Sequence, residues 1–192
     1  RAYTKVTLEQ GLSGGLVNLP CGYGKTTVAL NIVSVMAKKT LIIVHKEFLL
    51  NQWIERIDEF LPGARVGKIQ GTCIDIDNKD MICEYEPTTN VNTIKNKLKE
   101  GDKIIVITTY HSSDLLIEAT RSINFKFDLG IYDEGHRTVG EKDKCFTCLL
   151  TANIDNKRLF MTATEKIYKY KSSDSETDDD IKILSMDDEK IY

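Results

Sequence analysis

The sequence predicts an α/β fold: a doubly wound, mostly parallel sheet with helices on both faces. Three observations carry this reading. Five short apolar runs recur along the chain, amphipathic stretches separate them, and a glycine-rich turn joins the first run to the first helix. Each run is rich in β-branched or aromatic residues and is bounded by charge or glycine, the pattern of a strand buried on both faces.

The first run is "GLVNL" at 15–19, followed by "PCGYGKT" at 20–26. A helix is expected over 26–38, with Val28, Ile32, Val35 and Met36 along one stripe. "TLIIVH" at 40–45 is the second strand. The next helix, 47–60, places Leu49, Leu50, Trp53, Ile54 and Ile57 on its inner face, with Trp53 as a core anchor. Residues 61–92 are the least regular, with turn signals "LPG", "QGT", "DIDNKD" and "EPTTN" around one or two short strands. "KIIVITT" at 103–109, "DLGIYD" at 128–133 and "RLFMTA" at 158–163 complete the strand set. "SSDSETDDD" at 172–180 has no apolar residue and reads as a solvated acidic loop, and "IKILSM" at 181–186 as a returning strand.

At 192 residues, with 41% apolar and 29% charged residues, the chain suits one α/β core with insertions. No apolar run approaches the roughly 20 residues of a membrane span. The chain opens "RAYTKVTLEQ", without an initiator Met or a secretory signal, and so reads as a fragment. Five cysteines at irregular spacing argue against disulfides and for a reducing, intracellular compartment, whether cytoplasm, nucleus or viral factory. Cys145 and Cys148, at i and i+3 on an expected helix, read as small apolar residues rather than half of a zinc site. The net charge of −3 splits into −6 from Ser172 onward and +3 for the body, which permits a polyanion partner without requiring one.

The turn at 20–26 has the placement of a phosphate loop, after a strand and before a helix. Gly22 and Gly24 let successive N–H groups face an anion, and the helix N-terminus adds its dipole. Pro20, Cys21, Gly22, Tyr23, Gly24, Lys25, Thr26 and Thr27 are the candidate ATP-binding residues. Within them Lys25 would reach the β and γ phosphates, and the Thr26 hydroxyl would ligate Mg²⁺. The matching acids are Asp133 and Glu134 in "LGIYDEGHR", at the exit of a buried strand. Adjacent carboxylates leaving a strand diverge, so Asp133 is the candidate metal ligand and Glu134 the candidate general base.

"GYGKT", "DEGH" and "MTAT" at 161–164 stand in the order of motifs I, II and III of superfamily 2 helicases and translocases, and the chain resembles their first RecA-like domain. That family's first motif lacks the leading glycine of the generic phosphate loop, which accounts for Leu19. Pro20-Cys21 resembles versions in helicases of large DNA viruses, and residues 88–170 look more like restriction-enzyme-type motor subunits. Gly135 departs from the usual third residue of the second motif.

The resemblance implies ATP and Mg²⁺ as cofactors and a nucleic acid partner, DNA rather than RNA. It implies coupling roles for His136, Thr162 and Thr164. It also implies phosphate-backbone contacts at Lys46, in a stretch similar to motif Ia of double-strand DNA translocases, and at Thr109 and Tyr110 in "TTYHSS". Residues 1–171 would form the ATP-binding domain; the second RecA-like domain, with its arginine finger, is expected to be absent from this chain. No adenine-contacting residue is assigned: "RAYT" resembles an Arg-x-Tyr-Gln version with Thr4 in place of the family's glutamine, the alternative being a glutamine before residue 1, and Gln10 is too close to the loop. The alternatives are an idle binding module of the same fold, or another P-loop NTPase such as a kinase or switch GTPase. Intact Lys25, Asp133 and Glu134 argue against the first, and "DEGH" followed by "TAT" against the second.

Overall fold

A computed structural model describes residues 13–36, 38–60, 67–69, 71–75, 89–99, 103–135, 144–163, 167–171 and 181–185. The main sheet has seven strands in the order β1-β7-β6-β2-β5-β4-β3. They are β1 (Gly14–Asn18), β2 (Lys39–Val44), β3 (Gly67–Ile69), β4 (Gly71–Asp75), β5 (Ile104–Thr109), β6 (Phe127–Asp133) and β7 (Asp155–Thr162). The five strands β1, β7, β6, β2 and β5 run parallel, and β4 and β3 extend the sheet antiparallel beyond β5. The mostly parallel, doubly wound expectation is met, and the irregular region supplies the antiparallel pair.

Among the described residues five helices cover the two faces: α1 (Lys25–Met36), α2 (Glu47–Phe60), α3 (Val91–Lys99), α4 (Ser113–Ser122) and α5 (Lys144–Ala152). Strand alternation divides the core between them. Leu41, Ile43, Ile104 and Val106 point to the side packed by Ile94 and Leu98 of α3, Leu116 and Ile117 of α4, and Leu149 of α5. Ile42, Val44, Ile105 and Ile107 point to the side packed by Ala29, Leu30 and Val33 of α1 and by Leu50, Trp53 and Ile57 of α2. Burial on both faces explains why these strands read as unbroken apolar runs rather than alternating ones.

The stripe expected on α1 is corrected. Ile32 is buried, but Val28 and Val35 are exposed at 39% and 67%. Ala29, Leu30, Ile32 and Val33 form the inner face, in one buried cluster with Leu129 and Ile131 of β6 and Leu159 and Met161 of β7. On α5, Leu149 and Ala152 turn inward and Cys148 is left exposed. Cys21 and Cys148 are free thiols. Residues 181–185 do form a strand, β9 (Ile181–Ser185), paired antiparallel with β8 (Ile167–Lys171) in a separate two-stranded sheet. No helix among the described residues is long and apolar enough to cross a membrane.

A buried polar network ties β6 to β7. Tyr132 Oη donates to Asp155 Oδ2 at 2.5 Å, and Arg158 Nε donates to Asp155 Oδ1 at 2.8 Å. Gly130 makes room for it: a Cβ there would collide with the Asp155 carboxylate.

Candidate nucleotide site

Because the five central strands are parallel, their carboxyl ends share one edge of the sheet, where ligands of such folds bind. Register fixes the neighbours: Asn18 of β1 lies beside Thr162 of β7, and Asp133 of β6 beside Met161. Motifs that are remote in sequence thereby meet at three adjacent strand ends.

The phosphate loop turns on Gly22 (φ 84°) and Gly24 (φ 79°), in the left-handed region that L side chains rarely adopt. No atom crowds either position, so the requirement for glycine is one of backbone conformation rather than space. α1 then begins at Lys25, with its first bond from the Val28 amide to the Gly24 carbonyl at 3.0 Å. The amides of the first turn have no partner earlier in the helix and form an anion cradle. Lys25 Nζ donates to the Leu19 carbonyl at 2.9 Å, and the Leu19 amide donates to the Thr162 carbonyl at 3.1 Å. The entrance of the loop is thus fastened to motif III through main-chain atoms. Pro20, Cys21, Gly22, Tyr23 and Gly24 are exposed, while Lys25, Thr26 and Thr27 are half-buried.

Asp133 ends β6 and is held by three bonds. Its Oδ2 accepts from Trp53 Nε1 at 3.1 Å, its Oδ1 from the Glu134 amide at 3.0 Å, and its carbonyl from Tyr110 Oη at 3.1 Å. Burial pushes the Asp133 carboxyl above the ordinary carboxylate range, the Trp53 N–H pulls it back, the Glu134 charge raises it further, and the Glu134 amide and Lys25 lower it. Glu134 sits at φ 52°, a left-handed conformation for a non-glycine residue, where the chain turns off the end of β6. Gly135 is buried behind this turn.

Thr26 and Asp133 line the same cleft, of ≈ 590 Å³, whose walls include Trp53, Gln52 and Arg56 of α2. A hydroxyl and a carboxylate in one polar cleft are hard oxygen donors of the kind Mg²⁺ selects, so the residues fit a metal–nucleotide ligand. His136 and Thr164 lie outside the described residues. Thr162 is fully buried at the end of β7, one strand from Asp133.

Of the nucleic-acid candidates, Lys46 is exposed just before α2, with its ammonium 5.9 Å from the Phe48 ring centroid. Thr109 is 6% exposed, and its hydroxyl donates to Ser112 Oγ at 3.3 Å, which narrows any phosphate contact to its rim. Tyr110 is corrected. It opens a single 3₁₀ turn, Tyr110–Ser112, its side chain is fully buried, and its hydroxyl is directed at the Asp133 carbonyl. The core position expected for Trp53 is found, at 2% exposed, but its bond to Asp133 across 80 residues of sequence left no local signal.

The family model described as "Type III restriction enzyme, res subunit" matches residues 1–167. The chain belongs to this family. As a member of the res-subunit family it is 34% identical over 157 residues to a protein named "Probable helicase" in African swine fever virus, a match covering 79% of this chain and 17% of that relative. It is 31% identical over 134 residues to a protein named as an ATP-dependent RNA helicase in Acanthamoeba polyphaga mimivirus, covering 69% of this chain and 26% of the relative. Among solved structures, a nuclease-deletion mutant of the Type ISP restriction-modification enzyme LlaGI, in complex with a DNA substrate mimic, shares the fold. Its TM-score is 0.69 at 23% identity, over 98% of this chain and 18% of that one. The chain therefore spans well under a third of the length of each relative. The resemblance to superfamily 2 helicases read from "GYGKT", "DEGH" and "MTAT" is borne out by the family and by these helicase relatives.

Proposed function

We propose that this chain is the first RecA-like motor domain of a nucleic-acid-dependent ATPase, binding Mg²⁺-ATP and coupling its hydrolysis to movement on DNA. The observation that carries the reading is the cleft shared by Thr26 and Asp133, with Lys25 and Glu134 each one residue away. Bound Mg²⁺-ATP supplies a γ-phosphoryl group already polarised by the ion. The chain's own residues do the rest. The loop amides and Lys25 hold the phosphates, Thr26 and Asp133 supply oxygen ligands, and Glu134 accepts a hydrogen bond from the attacking water and aligns it.

Exposed Lys46 and the rim of Thr109 lie at the same strand-end edge and would meet the phosphate backbone, a contact that positions without reading sequence. DNA is favoured over RNA by the DNA-bound LlaGI structure of the same fold. Residues 1–171 form the motor domain in this reading, and the pairing of β9 with β8 supports a returning strand at 181–185; the acidic stretch 172–180 and residues 186–192 lie outside the described residues. A second RecA-like domain supplies the arginine finger, which contributes about 10³ to 10⁵ in rate, so the chain alone hydrolyses ATP slowly. The test is steady-state ATPase of the full-length parent with duplex DNA, with RNA and with neither, beside Lys25→Ala and Glu134→Gln. Stimulation by DNA that both substitutions abolish supports the reading; stimulation by RNA alone moves the partner; hydrolysis indifferent to nucleic acid and to both substitutions sinks it.

A further inference from the structure

We infer that Trp53 and Tyr110 are positioning residues that grip Asp133 from opposite faces of the sheet and aim its carboxylate at the metal. The inference rests on the nucleotide-site reading above and adds to it the residues that set the metal ligand's geometry.

The two grips are independent in origin. Trp53 belongs to the core layer of α1 and α2, Tyr110 to the opposite layer of α3, α4 and α5. Trp53 Nε1 donates to the side chain, at Oδ2, and Tyr110 Oη to the main-chain carbonyl, each at 3.1 Å. Tyr110 reaches across a whole strand to do so, since β5 is separated from β6 by β2. Both rings are closed off from solvent, at 2% and 0% exposed, so their rotamers are fixed by packing and their polar atoms have one direction to point. An indole N–H has no acceptor function and a buried one requires a partner; here the partner is the carboxylate of Asp133, which lines the same cleft as Thr26.

The source elements matter as much as the bonds. Trp53 rides on α2, seven residues after Lys46, and Tyr110 follows Thr109 directly. The two elements that carry the candidate phosphate-backbone contacts therefore each end on Asp133. A shift of either element by a fraction of an ångström would re-aim a metal ligand without touching the nucleotide. Partners that orient a metal ligand typically contribute 10- to 100-fold in metal affinity or activity.

The test uses Trp53→Phe and Tyr110→Phe, which keep the buried rings and remove one donor each. Free Mn²⁺ is followed by electron paramagnetic resonance during titration of the 192-residue chain with and without ADP, and ADP binding is measured in EDTA. The expected result is about 10-fold weaker Mn²⁺ binding in the presence of ADP for each variant, with metal-free ADP binding unchanged. Trp53, the single tryptophan of the chain, should also change its emission when Mg²⁺-ADP binds, and less so in Tyr110→Phe. Mn²⁺ binding equal to the parent in both variants overturns the inference, as does an equal loss with and without metal, the signature of general loosening. The two readings separate at Lys25→Ala: if ADP binding never depended on Lys25, the nucleotide site itself fails. If it does depend on Lys25 and the two phenylalanine variants match the parent, only the grip fails.

Discussion

The Leu19 amide donates to the Thr162 carbonyl at 3.1 Å, so the strand that launches the loop is pinned to the end of β7 through main-chain atoms. This bond does not depend on which side chains the loop carries.

The Lys25 side chain adds little to the fold: its bond to the Leu19 carbonyl, at the half-buried rim, contributes about 1 kcal/mol or less. Lys25→Ala should unfold within a few degrees of the parent chain. It should also abolish the thermal shift given by Mg²⁺-ADP and lower ATPase of the full-length parent by about 10² to 10³. Differential scanning fluorimetry with and without nucleotide checks both halves.

Glu134 is held at φ 52°, where a side chain costs on the order of 1 kcal/mol and glycine costs least. Glu134→Gly should match or exceed the parent in stability by up to about 1 kcal/mol while abolishing hydrolysis. Glu134→Val, β-branched, should be less stable than either. Urea denaturation ranks the three, and a valine variant as stable as the glycine one would refute the strained turn.

Gly130 faces the Asp155 carboxylate so closely that no Cβ fits. Gly130→Ala should displace Asp155 from Tyr132 and Arg158 and cost about 3 kcal/mol, through overpacking and a loosened buried ion pair. The urea midpoint should fall with the slope unchanged. Gly14 and Gly15, on edge strand β1, offer the comparison within one sheet.

Tyr132 gives an alkaline signature. Burial first, then the charge of Asp155 and the hydrogen bond to it, hold its hydroxyl well above the ordinary value of 10.0. Above that value the unfolded chain releases the proton and the folded chain keeps it. The folded state then binds more protons, and stability falls as pH rises, by up to about 1.4 kcal/mol per pH unit, until the folded-state value is passed. Below pH 10.0 the group contributes no slope. Tyr132→Phe should cost about 1–3 kcal/mol at neutral pH by leaving Asp155 one donor short, and should flatten the alkaline decline. Chemical denaturation at several pH values measures both.

The parallel strands were legible because double burial writes itself as unbroken runs such as "TLIIVH" and "KIIVITT". The α1 stripe was not, because that helix is apolar over most of its circumference. Only packing chooses Ala29 and Val33 over Val28 and Val35. Lys25, Thr26 and Asp133 announced themselves by local spacing, and the structure brings Thr26 and Asp133 to one cleft. The burial of Tyr110 was not legible either: its neighbours mark a strand end, but which way the ring turns depends on a carbonyl 23 residues downstream. Sequence reading found Trp53 for its bulk and missed its N–H.

The strand order has a consequence in time. Among the described residues β1 pairs with β7 alone, so the strand that carries the loop waits for a partner that follows it by roughly 140 residues. At about 5–20 residues per second of synthesis, that is on the order of ten seconds during which the most recognisable motif of the chain exists without a site. A nascent chain that has already displayed "GYGKT" lacks the neighbour of its loop strand until "RLFMT" is made, so the last strand of the main sheet to be translated, rather than the first, completes the candidate nucleotide site.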